Sequence, residues 1–256
     1  MRLALEYLHT VRIRAPSDVR RAAESLRDAA SSVFDGLIGA SHNIASGRPM
    51  VDADGNVLVT DVFGWPGNSG GWWLTPRTAF DSPLPMACRY ESEPFWCNEE
   101  GIHSTRPNSF LKGIDLTDFE RRTMVTAAIV APVHLPFGQI GAVLLSPRDR
   151  TYTDLAQEFE DHGAVFGLFA RTFLAGYVAV MTPAQRLPAR PQLLKREVEC
   201  LRWVAQGKSD NEIGILLSIT RSTVRFHITR AMVKLDAVNR AQATLKATQL
   251  GYIKSA

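Results

Sequence analysis

The stretch from Ser209 to Leu235 constrains this chain most, because it reads as two short helices joined by a tight turn. Ser209 and Glu212 have the Ser-x-x-Glu spacing of a capping box, in which each side chain satisfies a backbone donor at the first helix's start. Ile213, Leu216 and Leu217 give that helix an apolar stripe. Thr220 is placed to cap a second helix, running to Leu235, by accepting from the N–H groups of its first turn. There Val224, Ile228, Ala231 and Leu235 recur at steps of four, three and four, which makes one buried face. Arg221, Arg225, Arg230 and Lys234 are left for the other faces. A short helix pair whose second member is basic on its free side is the build of a helix-turn-helix. The plain alternative is a helical hairpin with a solvated charged face.

Charge along the chain favours a polyanionic partner for this region. From Arg190 onward there are 12 Lys and Arg against 5 Asp and Glu, whereas the rest of the chain carries a surplus of acids, for a net +3 overall. A basic C-terminal quarter on an acidic body is the footprint of nucleic-acid binding, with phosphate contacts making the affinity salt-dependent. Pro183, Pro188 and Pro191 disfavour helix just before it, so the segment reads as an extended linker. The expected organisation is a regulatory domain at 1–181, a linker at 182–189 and a DNA-binding domain at 190–256.

The N-terminal part reads as mixed helix and strand. Val19, Ala22, Ala23, Leu26 and Ala30 have helical spacing, with Ser17 as the cap. The run from Asn56 to Phe63 reads as a strand after an Asp-Gly turn. A Gly- and Pro-rich loop carrying Trp65, Trp72 and Trp73 follows. Residues 127–134 and 139–145 read as two strands, nearly all apolar and so covered on both faces, joined by a Pro-Phe-Gly turn. From Asp154 to Val180 the chain is one long helix with a stripe of Leu155, Phe159, Phe166, Phe169, Phe173 and Tyr177. Between Gly163 and Met181 it has a single charge, Arg171. That would suit a membrane span, but three glycines and a mid-span arginine favour a buried or subunit-contacting helix.

Most catalytic chemistry lacks its residues. Cys88, Cys97 and His103 do not have zinc-ligand spacing, and no cysteine shows a paired histidine, so neither a metal, a cofactor nor an enzyme is expected. The glycines from Gly64 to Gly71 lack the Lys-Ser/Thr ending of a phosphate loop. His134 and His162 lie in or beside apolar runs and read as core histidines. Three scattered cysteines and a charged start without an apolar run suit a reducing cytoplasm and no signal peptide.

Around the helix-turn-helix stand Arg196, Glu197, Leu201, Gly207, Thr223, Val224, His227, Lys234, Leu235, Asn239 and Arg240, in the order and spacing of the four-helix DNA-binding domain of the LuxR family. The last quarter of the chain resembles that domain, with Leu194 standing where the family usually has a capping Thr. The resemblance implies that Thr220 to Leu235 is the recognition helix and that a dimer reads a near-palindromic site in double-stranded DNA. Arg225 is the candidate base reader, since arginine fits guanine O6 and N7 bidentately, and Thr229 stands one turn on. Lys208, Arg221, Ser222, Thr223 and Arg230 are candidate phosphate contacts. The last helix, Asn239 to Tyr252, reads as support and as a dimer contact.

The element order of residues 1–181 is similar to the ligand-binding domain of quorum-sensing LuxR regulators. It implies an α+β chain: an α-β-α sandwich around an antiparallel sheet, followed by the all-α four-helix domain. In that family the sandwich encloses an acyl-homoserine lactone, held by a Trp-x-x-x-Tyr pair and a later Asp-Pro. Aligned on Pro83, this chain has Ser82 in the Asp position, with Asp81 displaced by one, Trp73 in the Tyr position and Trp96 in a later aromatic one. A serine is a weaker acceptor than a carboxylate. The expected signal is therefore small and largely apolar, with a lactone one candidate and another molecule, as for orphan regulators, the other. The candidate ligand residues are Trp72, Trp73, Asp81, Ser82 and Trp96, although large aromatics of this kind also serve core packing alone. The rival reading is a ligand-independent dimeric regulator.

Overall fold

The computed structural model describes residues 3–66, 81–182 and 192–254. The chain divides into two compact units, with the boundary between residues 183 and 184.

The N-terminal unit is built on a five-stranded antiparallel sheet of order β1-β5-β4-β2-β3, with β1 Gly36–Ser41, β2 Phe95–Asn98, β3 Ile102–Ser104, β4 Ala127–His134 and β5 Ile140–Pro147. The two apolar strands foreseen in the sequence are β4 and β5, joined by a 3-10 turn at Pro136–Gly138. Pro132 sits within β4, opposite Ala142 of β5. The pairing of β2 with β4 ends at Val130, so the proline's missing N–H removes no ladder bond on that side.

Alternation along the strands sends side chains to two separate cores. Ile129, Ala131 and Val133 of β4 with Val143 and Leu145 of β5 meet the helices α1 (Val19–Ala30) and α5 (Ala156–Met181). Ala128 and Val130, with Phe95 and Cys97 of β2, face the other way, under α3 (Pro83–Tyr90) and the one-turn helix α4 (Phe119–Thr123). The unit is thus an α-β-α sandwich. In α1 the five positions read as a stripe are all 0% exposed, but Ser17 is not the cap. Asp18 precedes the helix, and its carboxylate accepts from the N–H groups of Arg14 and Ala15 at 2.9 and 3.1 Å.

One strand expectation fails. Residues 58–61 form a short helix, α2 (Leu58–Asp61), and the only strand-like contact of that run is a bridge between Val51 and Val57. Leu58 and Val62, and likewise Val59 and Phe63, lie four apart and are all buried, so the same apolar run satisfies a helical period. The Asp-Gly turn before it does form. Gly55 has φ +86°, and the buried Asp52 carboxylate accepts from the backbone of Asp54 and Asn56 and from Arg20.

Helix α5 is long and apolar enough to cross a bilayer by length and composition. Its stripe of Phe166, Phe169, Phe173 and Tyr177 is instead buried in the sheet-facing core, which is how a core helix uses such residues. The Tyr177 hydroxyl accepts from Val51 N–H at 3.0 Å. Beside it the ring of His42, at the end of β1, lies 5.5 Å from the Tyr177 ring, and its Nδ1 is buried with no hydrogen-bond partner. Burial lowers the His42 pKa. The folded unit therefore holds the neutral ring and binds fewer protons than the unfolded chain. This contribution is intact above about pH 6.5 and is lost as pH falls from there toward the lowered folded value. His42→Phe is expected to flatten the stability loss of the unit below about pH 6.5 in chemical unfolding. Identical slopes for the two proteins would remove His42 from the account.

The C-terminal unit has four helices: α6 (Lys195–Ala205), α7 (Asp210–Leu217), α8 (Arg221–Lys234) and α9 (Arg240–Gln249). Helix α6 ends in a Schellman motif: Gly207 has φ +78°, its N–H reaches Val204 and that of Lys208 reaches Trp203. Between α7 and α8 the backbones approach closely, so that a Cβ on Gly214 would stand 2.8 Å from the carbonyl oxygen of Ile219. Both foreseen caps are present. Ser209 and Glu212 bond reciprocally, and Thr220 accepts from Thr223 N–H at 3.2 Å. Val224, Ile228, Ala231 and Leu235 are all buried. The last helix is shorter than expected, with Asn239 as its cap; Ala243 and Ala247 are buried but Leu245 is exposed.

Candidate functional site

The exposed surface of α8 begins at its cap. The Thr220 hydroxyl lies 2.8 Å from those of both Ser222 and Thr223, so three hydroxyls and the free N–H groups of the first turn share one helix start. Such a start favours anions. Arg221 and Ser222 are exposed there, and Arg225, Phe226, Thr229 and Arg230 continue along the same outer surface. Lys208 is half-buried and lies 3.8 Å from Glu212. Arg230 stands over the Phe226 ring at 5.5 Å and 4.0 Å from the buried Glu197 carboxylate. Thr223 is half-buried beside its cap.

Two members of this surface and a buried carboxylate behind it were missed in the sequence. Asp210 is only 15% exposed and lies 3.4 Å from Arg225 and 3.1 Å from Arg240. Phe226 is 54% exposed, on a helix whose Val224, Ile228 and Ala231 are buried. Glu197, fully buried, accepts from Leu194 N–H at 2.7 Å and from Lys234 at 2.8 Å. Leu194 therefore does not leave α6 uncapped: the carboxylate three residues on does the work that a Thr side chain would share. Helical periodicity exposes Phe226 on the sequence alone, whereas the charged partners of Asp210 and Glu197 are 15 or more residues away.

In the N-terminal unit the described candidate ligand residues, Asp81, Ser82 and Trp96, do not share one site. Trp72 and Trp73 lie outside the described residues. Ser82 is 4% exposed and stands at the start of α3. A serine there normally caps its helix, but Pro83 and Pro85 remove the N–H groups at the first and third positions, and the Ser82 hydroxyl caps nothing. It borders a small apolar cavity of about 30 Å³, with Gly39, Ser41 and Ala142 on the sheet and Leu84, Pro85 and Cys88 on α3. Ala142 borders the hollow with a small side chain, whereas Gly39 is closed over by Leu144, whose Cγ would stand 2.8 Å from a Cβ added there. Asp81 is exposed; its carbonyl accepts from Arg122, which also binds the Asp115 carboxylate at 2.8 Å and the Thr117 carbonyl at 2.9 Å. Trp96 is on the wrong face for this cavity. Strand alternation puts Phe95 and Cys97 on the α3 side and Trp96 on the α5 side, where it stacks on His103 at 4.1 Å.

A larger open groove of about 1060 Å³ lies at the other end of the same sheet face. Its rim is charged, and its arginines are paired: Arg121 with Asp118, Arg150 with Glu120, and Arg148 with Asp35. The smaller hollow better matches the usual form of a small-molecule site, apolar walls with a few polar groups. The thiols offer no nucleophile. Burial raises Cys88 to about 12 and Cys200 to about 11, and raises Cys97 further.

Comparison with known proteins agrees with both units. The family described as "Bacterial regulatory proteins, luxR family" matches residues 191–247. The regulator y4qH of Sinorhizobium fredii is 34% identical over 145 residues, covering 54% of this chain and 43% of its own length. The quorum sensing-dependent transcriptional regulator RpaR of Rhodopseudomonas palustris is 28% identical over 258 residues, covering 99% of this chain and 96% of RpaR. The match therefore spans less than half of the first relative and nearly all of the second. Escherichia coli SdiA shares the fold, with a TM-score of 0.52 at 19% identity over 96% of this chain and 95% of SdiA. A structure of SdiA in complex with octanoyl-rac-glycerol gives 0.50 at 16% identity, covering 95% of this chain and 92% of that one. Such relatives are regulators rather than enzymes. The C-terminal unit thus carries a helix-turn-helix domain of the LuxR family, and the chain is similar along its whole length to a quorum sensing-dependent transcriptional regulator.

Proposed function

We propose that residues 1–181 form a regulatory domain that binds a small, largely apolar signal between α3 and the sheet. Binding then controls how a homodimer presents its α8 helices to a near-palindromic site in double-stranded DNA, in the cytoplasm. The observation that carries the signal site is Ser82: a buried hydroxyl that its own helix does not use, at the edge of an apolar hollow. At about 30 Å³ the hollow has room for one or two waters, so a signal has to part α3 from the sheet. Ile140, Ala142 and Leu144, half-buried on the same face, would be covered as it enters. Ser82 supplies one neutral hydrogen bond, which suits a hydroxyl or carbonyl group on an apolar chain. SdiA complexed with an acylglycerol is a relative of that kind. An acyl-homoserine lactone is the other candidate.

In the C-terminal domain, Arg225 is assigned to base readout. Lys208, Arg221, Ser222, Thr223 and Arg230 are assigned to phosphates, with Thr229 one turn beyond Arg225. The three hydroxyls and two exposed arginines around the start of α8 support this division.

The test is thermal unfolding of the full chain with a panel of acyl-homoserine lactones and with octanoylglycerol. Ligand at 100 times its dissociation constant adds about 2.7 kcal/mol, or roughly 5–10 °C for a unit of this size. Ser82→Leu, which fills the hollow, is expected to remove the shift. The same shift in the variant would place the ligand elsewhere. No shift with either compound class would favour a regulator that needs neither.

A further inference from the structure

We infer that Asp210 is a specificity-determining residue: it fixes the guanidinium of Arg225 in the orientation that reads a base, and is itself held from behind by Arg240. This rests on the assignment of Arg225 to base readout. Asp210 is the first residue of α7, where an acid is ordinarily explained by the helix dipole alone. Its surroundings go beyond that. The side chain is only 15% exposed, and its two oxygens serve arginines of two other helices. Oδ1 lies 3.1 Å from Nη1 of Arg240, and Oδ2 lies 3.4 Å from Nε of Arg225. Arg240 is fixed a second time, because its Nη2 donates to the carbonyl of Lys208 at 3.2 Å. The carboxylate is therefore anchored by α9 on one side and holds α8 on the other.

The atom that Asp210 takes matters. Asp210 lies on the Nε side, at ion-pair distance, so both terminal nitrogens of Arg225 remain free, and the side chain is 67% exposed. Those two nitrogens are a fork that matches O6 and N7 of guanine. An unrestrained arginine would divide its time between that edge and neighbouring phosphates, which carry no sequence information. In free protein an ion pair this exposed contributes little to stability. Its effect appears on DNA, where water is excluded and the orientation is already set. A carboxylate beside the backbone also repels phosphate, so Asp210 weakens binding to random sequence while sharpening binding to the right one.

The full-length protein can be tested by selecting duplexes from a randomised library, then measuring affinities for selected and random DNA. Wild type is expected to prefer guanine at one position per half-site, and Arg225→Ala to lose that preference. Asp210→Asn is expected to lose roughly fivefold or more of the discrimination at that same position. Its affinity for random duplex should be unchanged or higher, and Asp210→Glu should recover part of the discrimination. A merely structural Asp210, tying α7 to α9, would lower affinity for selected and random DNA alike, and that result overturns the inference. So does full discrimination in Asp210→Asn. If Arg225→Ala leaves every base preference intact, the base-readout assignment itself fails, whatever Asp210 does.

Discussion

Replacing Glu197 by alanine is expected to lower the unfolding midpoint of the C-terminal unit by roughly 12–24 °C, the equivalent of about 3 kcal/mol in a unit this small. The carboxylate is 0% exposed and joins two places that no backbone bond joins. It accepts from Leu194 N–H at the start of α6, and from the ammonium of Lys234 in the last turn of α8. Arg230 adds a second positive charge at 4.0 Å. Alanine leaves the Leu194 N–H and a largely covered ammonium without this acceptor. Removing one partner of a buried pair costs about 3–5 kcal/mol, and the lower end applies because Lys234, 25% exposed, can partly return to water. Glu197→Gln keeps a carbonyl oxygen for Leu194 and loses only the charge, so its loss should be smaller. Calorimetry of the full chain measures both. A shift under about 4 °C for the alanine variant would mean that water serves these groups as well as the carboxylate does.

The C-terminal unit was legible because its determinants are local. A capping box, a single-residue cap and a four-three-four stripe each lie within one turn or one helix, and Ser209, Thr220 and Val224 act as their spacing implies. The same held for α5 and for the β4–β5 hairpin, where a long apolar period or an uninterrupted apolar run leaves little choice. Residues 58–63 show where local pattern stops deciding. A short apolar run fits strand and helix alike, and burial of two i,i+4 pairs settled it as α2.

The candidate sites were less legible, for two physical reasons. Facing is a property of strand register, and a one-residue difference sends a side chain to the opposite core. That is why Trp96 faces α5 while its neighbours Phe95 and Cys97 face α3. Ion-pair partners, in turn, come from distant positions. Asp210 meets Arg225 and Arg240 across 15 and 30 residues, and Glu197 meets Lys234 across 37. Ser82 stands between these cases. Pro83 and Pro85 follow it within three residues in sequence, but the hollow it borders is made in part by β1 and β5.

Phe169→Ala should be the most damaging single change in the N-terminal unit, and it also separates the two faces of the sheet. Phe169 is 0% exposed at the middle of α5, between Phe166 and Phe173, which are buried equally well; Phe159, nearer the helix start, is only partly buried. Deleting such a ring costs about 3–5 kcal/mol, because the packed neighbours cannot collapse into the space it leaves. In a unit of this size that is roughly 6–20 °C. The cavity opens on the α5 side of the sheet, whereas Ser82 and its hollow are on the α3 side. A stabilising signal should therefore still raise the midpoint of Phe169→Ala by about as many degrees as it raises wild type. The shift should vanish in Ser82→Leu, although that variant is the more stable of the two. Loss of the shift in Phe169→Ala with retention in Ser82→Leu would move the signal to the α5 face, beside Trp96. A midpoint within about 3 °C of wild type would mean that α5 does not hold the sheet through this ring.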